Sequence, residues 1–201
     1  WSADADQFRT ICRLRAARRL WARVAEASGA TDQHWGQVQH ASGSTVDLTR
    51  RDPWGNLLRG TVAAFAAGVG GADAVTVRPF DSALGRPDEF GRRTARNTQL
   101  LLLEESSLAS VVDPAGGSWY VEDLTRRMTE VAWDRFRDIE AVGGADAALN
   151  SGLMEAEAAA CWTARRARLV TRSEAVTGVS EFPDLDESLV ERPAATPASA
   201  G

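Results

Sequence analysis

The sequence predicts an α/β fold, a wedge of an α/β barrel with extra helices wrapped at its C-terminal end. Short strand-like runs alternate with long segments of helical periodicity in the order helix, strand, helix, strand, helix, which indicates parallel strands joined by right-handed crossovers. Only two runs are strong strand candidates, too few to close a barrel that needs eight. Helical patterns continue beyond the last strand, and no internal repeat is visible beyond the βα alternation itself.

Phe8, Ile11, Cys12, Leu14, Leu20, Trp21 and Val24 recur with roughly a 3.6-residue period, and Gly29 closes this opening helix. Val38 is the apolar centre of a short strand candidate over 35–40, followed by a loop of Ser, Gly and Thr. Asp52 and Pro53 supply an N-cap and a first-turn proline for a helix through Leu57, Leu58, Val62 and Phe65, stopped by Gly68, Gly70 and Gly71. Ala74–Val77 reads as a buried strand. Pro87 opens a helix carrying Phe90, Ala95, Thr98 and the run Leu100–Leu103, which is apolar on every side and is expected to be sandwiched. After a turn at Asp113–Gly117, an amphipathic helix runs through Tyr120, Leu124, Met128, Val131, Phe136 and Ile139 to Gly143–Gly144. Two more helices are expected at 145–151 and 153–172. Beyond Val176 the pattern fades into a linker rich in Pro, Glu and Ala.

With 201 residues, 44% of them hydrophobic, the chain can bury one sizeable core. A net charge of −5 argues against a surface that tracks nucleic-acid phosphates. No apolar run is long enough for a membrane span, and no secretory leader is evident. Cys12 and Cys161 lack metal-ligand spacing, so reduced thiols and a cytoplasmic location are expected. The chain starts mid-element at Trp1–Asp4 and ends in a Pro/Ala tract, so both ends are expected to be cuts through a longer protein.

Few residues suggest chemistry. His40 sits at the expected end of a strand, where barrel active sites gather, although a hydrogen-bonded rim residue is the commoner use of a lone histidine. Arg78, after the second strand, could meet an anion or point outward. Glu104 and Glu105 are sequence neighbours, which lie about 100° apart on a helix and cannot share a substrate. Arg165, Arg166 and Arg168 form a charged helix face without interleaved aromatics. Gly68–Gly71 is a helix terminator rather than a phosphate loop. No catalytic, cofactor-binding or metal-ligating residue is expected in the chain.

The block from Arg92 to Asp123, with Arg13–Ala22 and Gly178–Pro183 on either side, resembles the methylmalonyl-CoA mutase family. The resemblance covers most of the chain. It implies the C-terminal part of a TIM (β/α)8 barrel over residues 1–175, with 176–201 leading toward a missing cobalamin-binding-like domain. It also implies an isomerase interconverting methylmalonyl-CoA and succinyl-CoA by homolysis of the cobalt–carbon bond of adenosylcobalamin.

Catalytic relatives resemble Arg-Thr-His-x-Gln-Thr-Ser-Gly-Trp-Ser-Leu where this chain has Val38–Leu48, and only His40, Ser44 and Leu48 survive. An arginine suited to an anionic acyl-CoA has become Val38. In the second strand, Gly-x-Thr-Gln-Ser-Leu-His-Thr-Asn corresponds to Gly70–Arg78, and its Gln, His and Asn are gone, with Asp73 adding a negative charge. Asp32-Gln33-His34-Trp35-Gly36 approaches the family's Asp-x-His-x-x-Gly cobalt-ligand motif, but its spacing fails because Gln37 stands where glycine is required.

These departures, with Ala72–Val77 and Asp113–Trp119, resemble the non-catalytic small subunit of a heterodimeric mutase. Such a resemblance implies a homologous large subunit as partner, acyl-CoA and adenosylcobalamin in the complex, and no cofactor held by this segment. His40 and Arg78 are the only substrate-binding candidates. A catalytic mutase for another acyl-CoA and a non-enzymatic binding module stay open as alternatives.

Overall fold

The computed structural model describes residues 1–194. It is a mixed α/β arrangement with a small parallel sheet in the order β1 (Ser2–Ala3), β2 (His40–Gly43), β3 (Ala74–Thr76). Helix α1 (Gln7–Ala27) joins β1 to β2, and α2 (Gly55–Val69) joins β2 to β3. Helix α3 (Glu89–Leu100) follows and continues as a π-helical turn over Leu101–Glu105. Then come α4 (Trp119–Ala141), α5 (Ala145–Asn150) and α6 (Leu153–Val170).

The sheet packs on its helices through one face. Ala3 and Ala41 meet Leu14, Ala63 and Ala67, with Val75 alongside. Small residues on α2 let the helix lie close to the strands, and Leu14 contributes the bulk, its burial stabilising by about 1.5–3 kcal/mol. A second cluster joins Ile11 and Cys12 of α1 to Ala66 and Val69 of α2 and Val121 of α4. Arg15 strengthens that junction: largely buried, it pairs with Asp113 and Glu122, and Arg19 reaches Glu122 at 3.2 Å. The Gly117 N–H, with Arg15 beside it, holds the Glu122 carboxyl below the usual carboxylate range.

Helix starts follow local chemistry. Asp6 caps α1 through Arg9 N–H, Asp88 caps α3 through Gly91 N–H at 2.7 Å, and Ser118 caps α4 through Val121 N–H. Pro87 therefore lies just before the α3 cap rather than inside the helix. The expected helix start at Asp52–Pro53 is a turn: Asp52 has φ +46°, its carboxylate accepts from Gly55 N–H at 3.3 Å, and α2 begins at Gly55.

Four expectations change. β1 carries too short a pattern to be read from sequence. β2 begins at His40 rather than ending there, because Val38 is 88% exposed and only Ala41 enters the core. β3 is not buried, since only Val75 packs while Ala74 and Thr76 are exposed. The Leu100–Leu103 run is not sandwiched: Leu100, Leu101 and Leu103 are each about half exposed, and no described element covers them. Helix α6 has no buried residue at all. The expected linker over 176–201 is described only to residue 194, and residues 195–201 lie outside the described residues.

The two thiols differ sharply. Cys12 is fully buried against the Val121 carbonyl, and burial pushes its pKa up, whereas Cys161 is exposed on α6. A thiol-reactive chromophore should modify one cysteine per native chain and the second only on denaturation. Two fast equivalents would contradict this packing.

Candidate functional site

The face of the sheet turned away from the helices carries Ser2, His40, Ser42, Ala74 and Thr76. These are small or polar, unlike the bulky branched residues that fill an ordinary barrel interior. His40 and Thr76 are diagonal neighbours across β2 and β3, and His40 Nε2 lies 2.7 Å from Thr76 Oγ1. Arg78, two residues past β3, donates from Nε to the Gly43 carbonyl at 2.6 Å. The two candidates do not bond one another: their backbones stand four residues apart along the strands, roughly 13 Å at a strand's rise per residue, and each side chain is engaged by a different partner.

Asp73 is at the same starting end as His40. Its carboxylate accepts Gln39 N–H at 2.7 Å, which spends the charge on closing the β2–β3 ladder. Gln39 is buried and donates to the Leu14 carbonyl, while Arg18 reaches both Gln39 and the Gly70 carbonyl at 2.6 Å. This end of the sheet is a structural seam.

Beyond the other end of the strands, the loops after β2 and β3 are tied together by Asn56. Its Nδ2 donates to the Thr49 and Phe80 carbonyls at 2.9 and 2.8 Å, and its Oδ1 accepts from Thr49 N–H at 3.0 Å and from Arg59 at 2.7 Å. Trp54 stacks on Phe80 at 4.8 Å, with Phe90 edge-on to both. Beside these loops a cleft of about 660 Å³ runs between Thr45–Thr49, α6 at Trp162, Arg165 and Leu169, and the segment Glu174–Ser180. Its charged groups are engaged: Arg165 pairs with Glu174 at 2.7 Å, and Arg59 holds Thr49, Asn56 and the Thr177 carbonyl.

The other candidate residues stay apart. Asp32–His34 is an exposed 3-10 turn in which His34 Nδ1 meets Thr31 Oγ1 at 2.9 Å. Glu104 and Glu105 are exposed in the π-helical turn, and Arg165 and Arg168 share Glu174. Gly70 and Gly71 end α2, Gly71 with φ +83°. His34 and His40 are the chain's only histidines, each ring bonded to a threonine hydroxyl. Among the described residues no three His, Cys, Asp or Glu side chains come together to hold a metal ion. Among the described residues, no helix is long and apolar enough to cross a membrane.

Sequence reasoning missed Asn56, Asp81 and Arg192. The one available signal was a polar residue inside the apolar helix pattern after Trp54-Gly55.

Comparison with known proteins assigns the fold's family. The family model described as methylmalonyl-CoA mutase matches residues 1–199. The chain is 61% identical over 200 residues to a methylmalonyl-CoA mutase small subunit of Streptomyces virginiae, covering 98% of this chain and 32% of that protein. It is 45% identical to the small subunit of Propionibacterium freudenreichii subsp. shermanii, over 94% of this chain and 30% of that protein. Against a large subunit of Porphyromonas gingivalis the identity is 33%, over 90% of this chain and 26% of that protein. The chain thus spans about a third of the length of the small subunits it matches. A match this continuous, running through both strand ends and the loops that Asn56 joins, means that the chain belongs to the methylmalonyl-CoA mutase family.

Proposed function

We propose that residues 1–175 form a three-strand sector of a (β/α)8 barrel in the small subunit of a heterodimeric, cytoplasmic methylmalonyl-CoA mutase. Residues 176–201 lead on toward a cobalamin-binding-like domain. The sector supplies scaffold and subunit interface, while acyl-CoA and adenosylcobalamin are held elsewhere in the assembly with the homologous large subunit. Higher identity to proteins named small subunit than to one named large subunit supports this reading. The barrel is supported by the parallel order of β1, β2 and β3, whose end strands pair with no further strand among the described residues.

The observation that carries the non-catalytic role is the absence of a convergent, anion-binding set on the exposed sheet face. Val38 stands where an arginine would meet an acyl-CoA, His40 is turned to Thr76, and Arg78 is spent on the Gly43 carbonyl at the far end of β2. One observation favours a catalytic mutase for another acyl-CoA: the small polar residues of that face leave room that a packed barrel would fill. His40 and Arg78 are therefore retained as the substrate-facing positions.

The two readings separate on His40→Ala in the full protein assembled with its large subunit. Turnover within about twofold of the parent is expected, whereas loss of a positioned proton or hydrogen-bond partner costs roughly a hundredfold or more. A hundredfold loss with the complex intact on size-exclusion chromatography would establish this barrel as active.

A further inference from the structure

We propose that residues 174–193 are a strap binding the loops after β2 and β3 into one unit, latched at its far end by Arg192 between Asp81 and Asp88. The inference goes beyond the mutase reading and does not depend on whether this barrel is catalytic.

The segment is fastened near both ends, with residues 181–186 exposed between the attachments. Glu174 pairs with Arg165 at 2.7 Å and Arg168 at 3.1 Å on α6, and the Thr177 carbonyl accepts from Arg59 of α2 at 2.7 Å. Glu187 Oε1 accepts Asp52 N–H at 2.7 Å in the loop after β2. In the loop after β3, the Arg86 N–H donates to the Pro193 carbonyl at 2.7 Å. Two glycines make the close approaches possible. Gly178 has φ +79°, and a Cβ there would sit 2.3 Å from Asp52 Oδ2; a Cβ on Gly85 would sit 2.3 Å from the Pro193 carbonyl oxygen.

The latch is the decisive contact. Arg192 donates from Nε to Asp81 Oδ2 at 2.6 Å and places Nη2 2.7 Å from Asp88 Oδ2. Asp81 is wholly buried, and among the described residues its Oδ1 has no hydrogen-bond partner. Among those residues, the Asp88 N–H at 3.1 Å is the one hydrogen-bond donor to the carboxylate besides Arg192. A buried charge without its counter-ion is strongly unfavourable. Lifting the strap therefore strands Asp81 inside the loop after β3, and strap and loops open together.

Hydrogen exchange on the full-length protein assembled with its large subunit tests this. In Arg192→Met, the amides of 176–193, together with those of Asp52, Arg86 and Asp88, should exchange about tenfold or more faster, with the α1–α4 amides unchanged. Gly178→Ala should loosen the same set without altering any charge. The double variant Asp81→Asn, Arg192→Met should regain the melting temperature lost in Arg192→Met while its strap stays fast, because a neutral amide no longer needs the guanidinium. Unchanged protection in both single variants would overturn the strap. So would acceleration spread over the whole chain that the double variant does not reverse, since Arg192 would then be part of the general core.

Discussion

Asn56→Leu should lower the stability of the full-length protein by about 3 kcal/mol or more, read as a fall in the urea midpoint with an unchanged slope. The side chain is 2% exposed and is the only described group bonded to both Thr49 and Phe80. Leucine is close to it in volume and opens no large cavity. The loss comes from two carbonyls and one N–H left without partners inside the protein, each costing about 1–3 kcal/mol, offset in part by rearrangement. Asn56→Asp should be at least as damaging. It keeps the acceptor toward Thr49 N–H but turns a carboxylate oxygen toward the Thr49 and Phe80 carbonyls. A change below about 1 kcal/mol in both variants, the low end of that range, would mean that the stacked Trp54 and Phe80 hold the loops without help.

Residues 1–201 expressed without the rest of their protein should associate or bind a hydrophobic dye strongly, whereas the full-length protein in complex should do neither. Among the described residues β1 and β3 pair with no further strand, and His40, Ala74 and Thr76 are exposed on the uncovered face of the sheet. Leu100, Leu101 and Leu103 lie open beside β3 near a hollow of about 210 Å³ that Leu102, Leu108 and Val75 help to line. An analytical-ultracentrifugation profile of a single monomer at tens of micromolar, with a sharp cooperative melt, would show a self-sufficient domain and would remove the support for an incomplete barrel.

Helices and their order are legible in the sequence because periodicity over fifteen or more residues averages out local exceptions, as in α1, α2 and α4. The strands are less so. β1 has two residues, β2 buries only Ala41, and β3 packs only through Val75, so none offers the alternation that reveals a longer strand. The apolar character of Leu100–Leu103 is plain in the sequence, but no element among the described residues covers it. The loss of charge at Val38 is plain in the sequence, but the use of Asp73 and Arg78 to close the sheet is not. A carboxylate that caps a strand and one that faces a substrate look alike until the register is known. Arg192 and Asp81 lie 111 residues apart, beyond the reach of any local pattern.

A helix with no buried position has an evolutionary consequence. Along α6, selection for the folding of this chain alone restrains little beyond helix propensity, the Glu157 pair with Arg135 of α4, and the Arg165 and Arg168 pairs with Glu174. Substitutions at Met154, Cys161 or Trp162 should therefore drift freely unless another surface rests on them. A mutational-tolerance profile of α6, gathered in cells under selection for function of the full-length protein, would then read as a footprint. Intolerant sites would trace the contact of whatever the assembled protein lays across this helix, and a uniformly permissive helix would mark it as an outer wall.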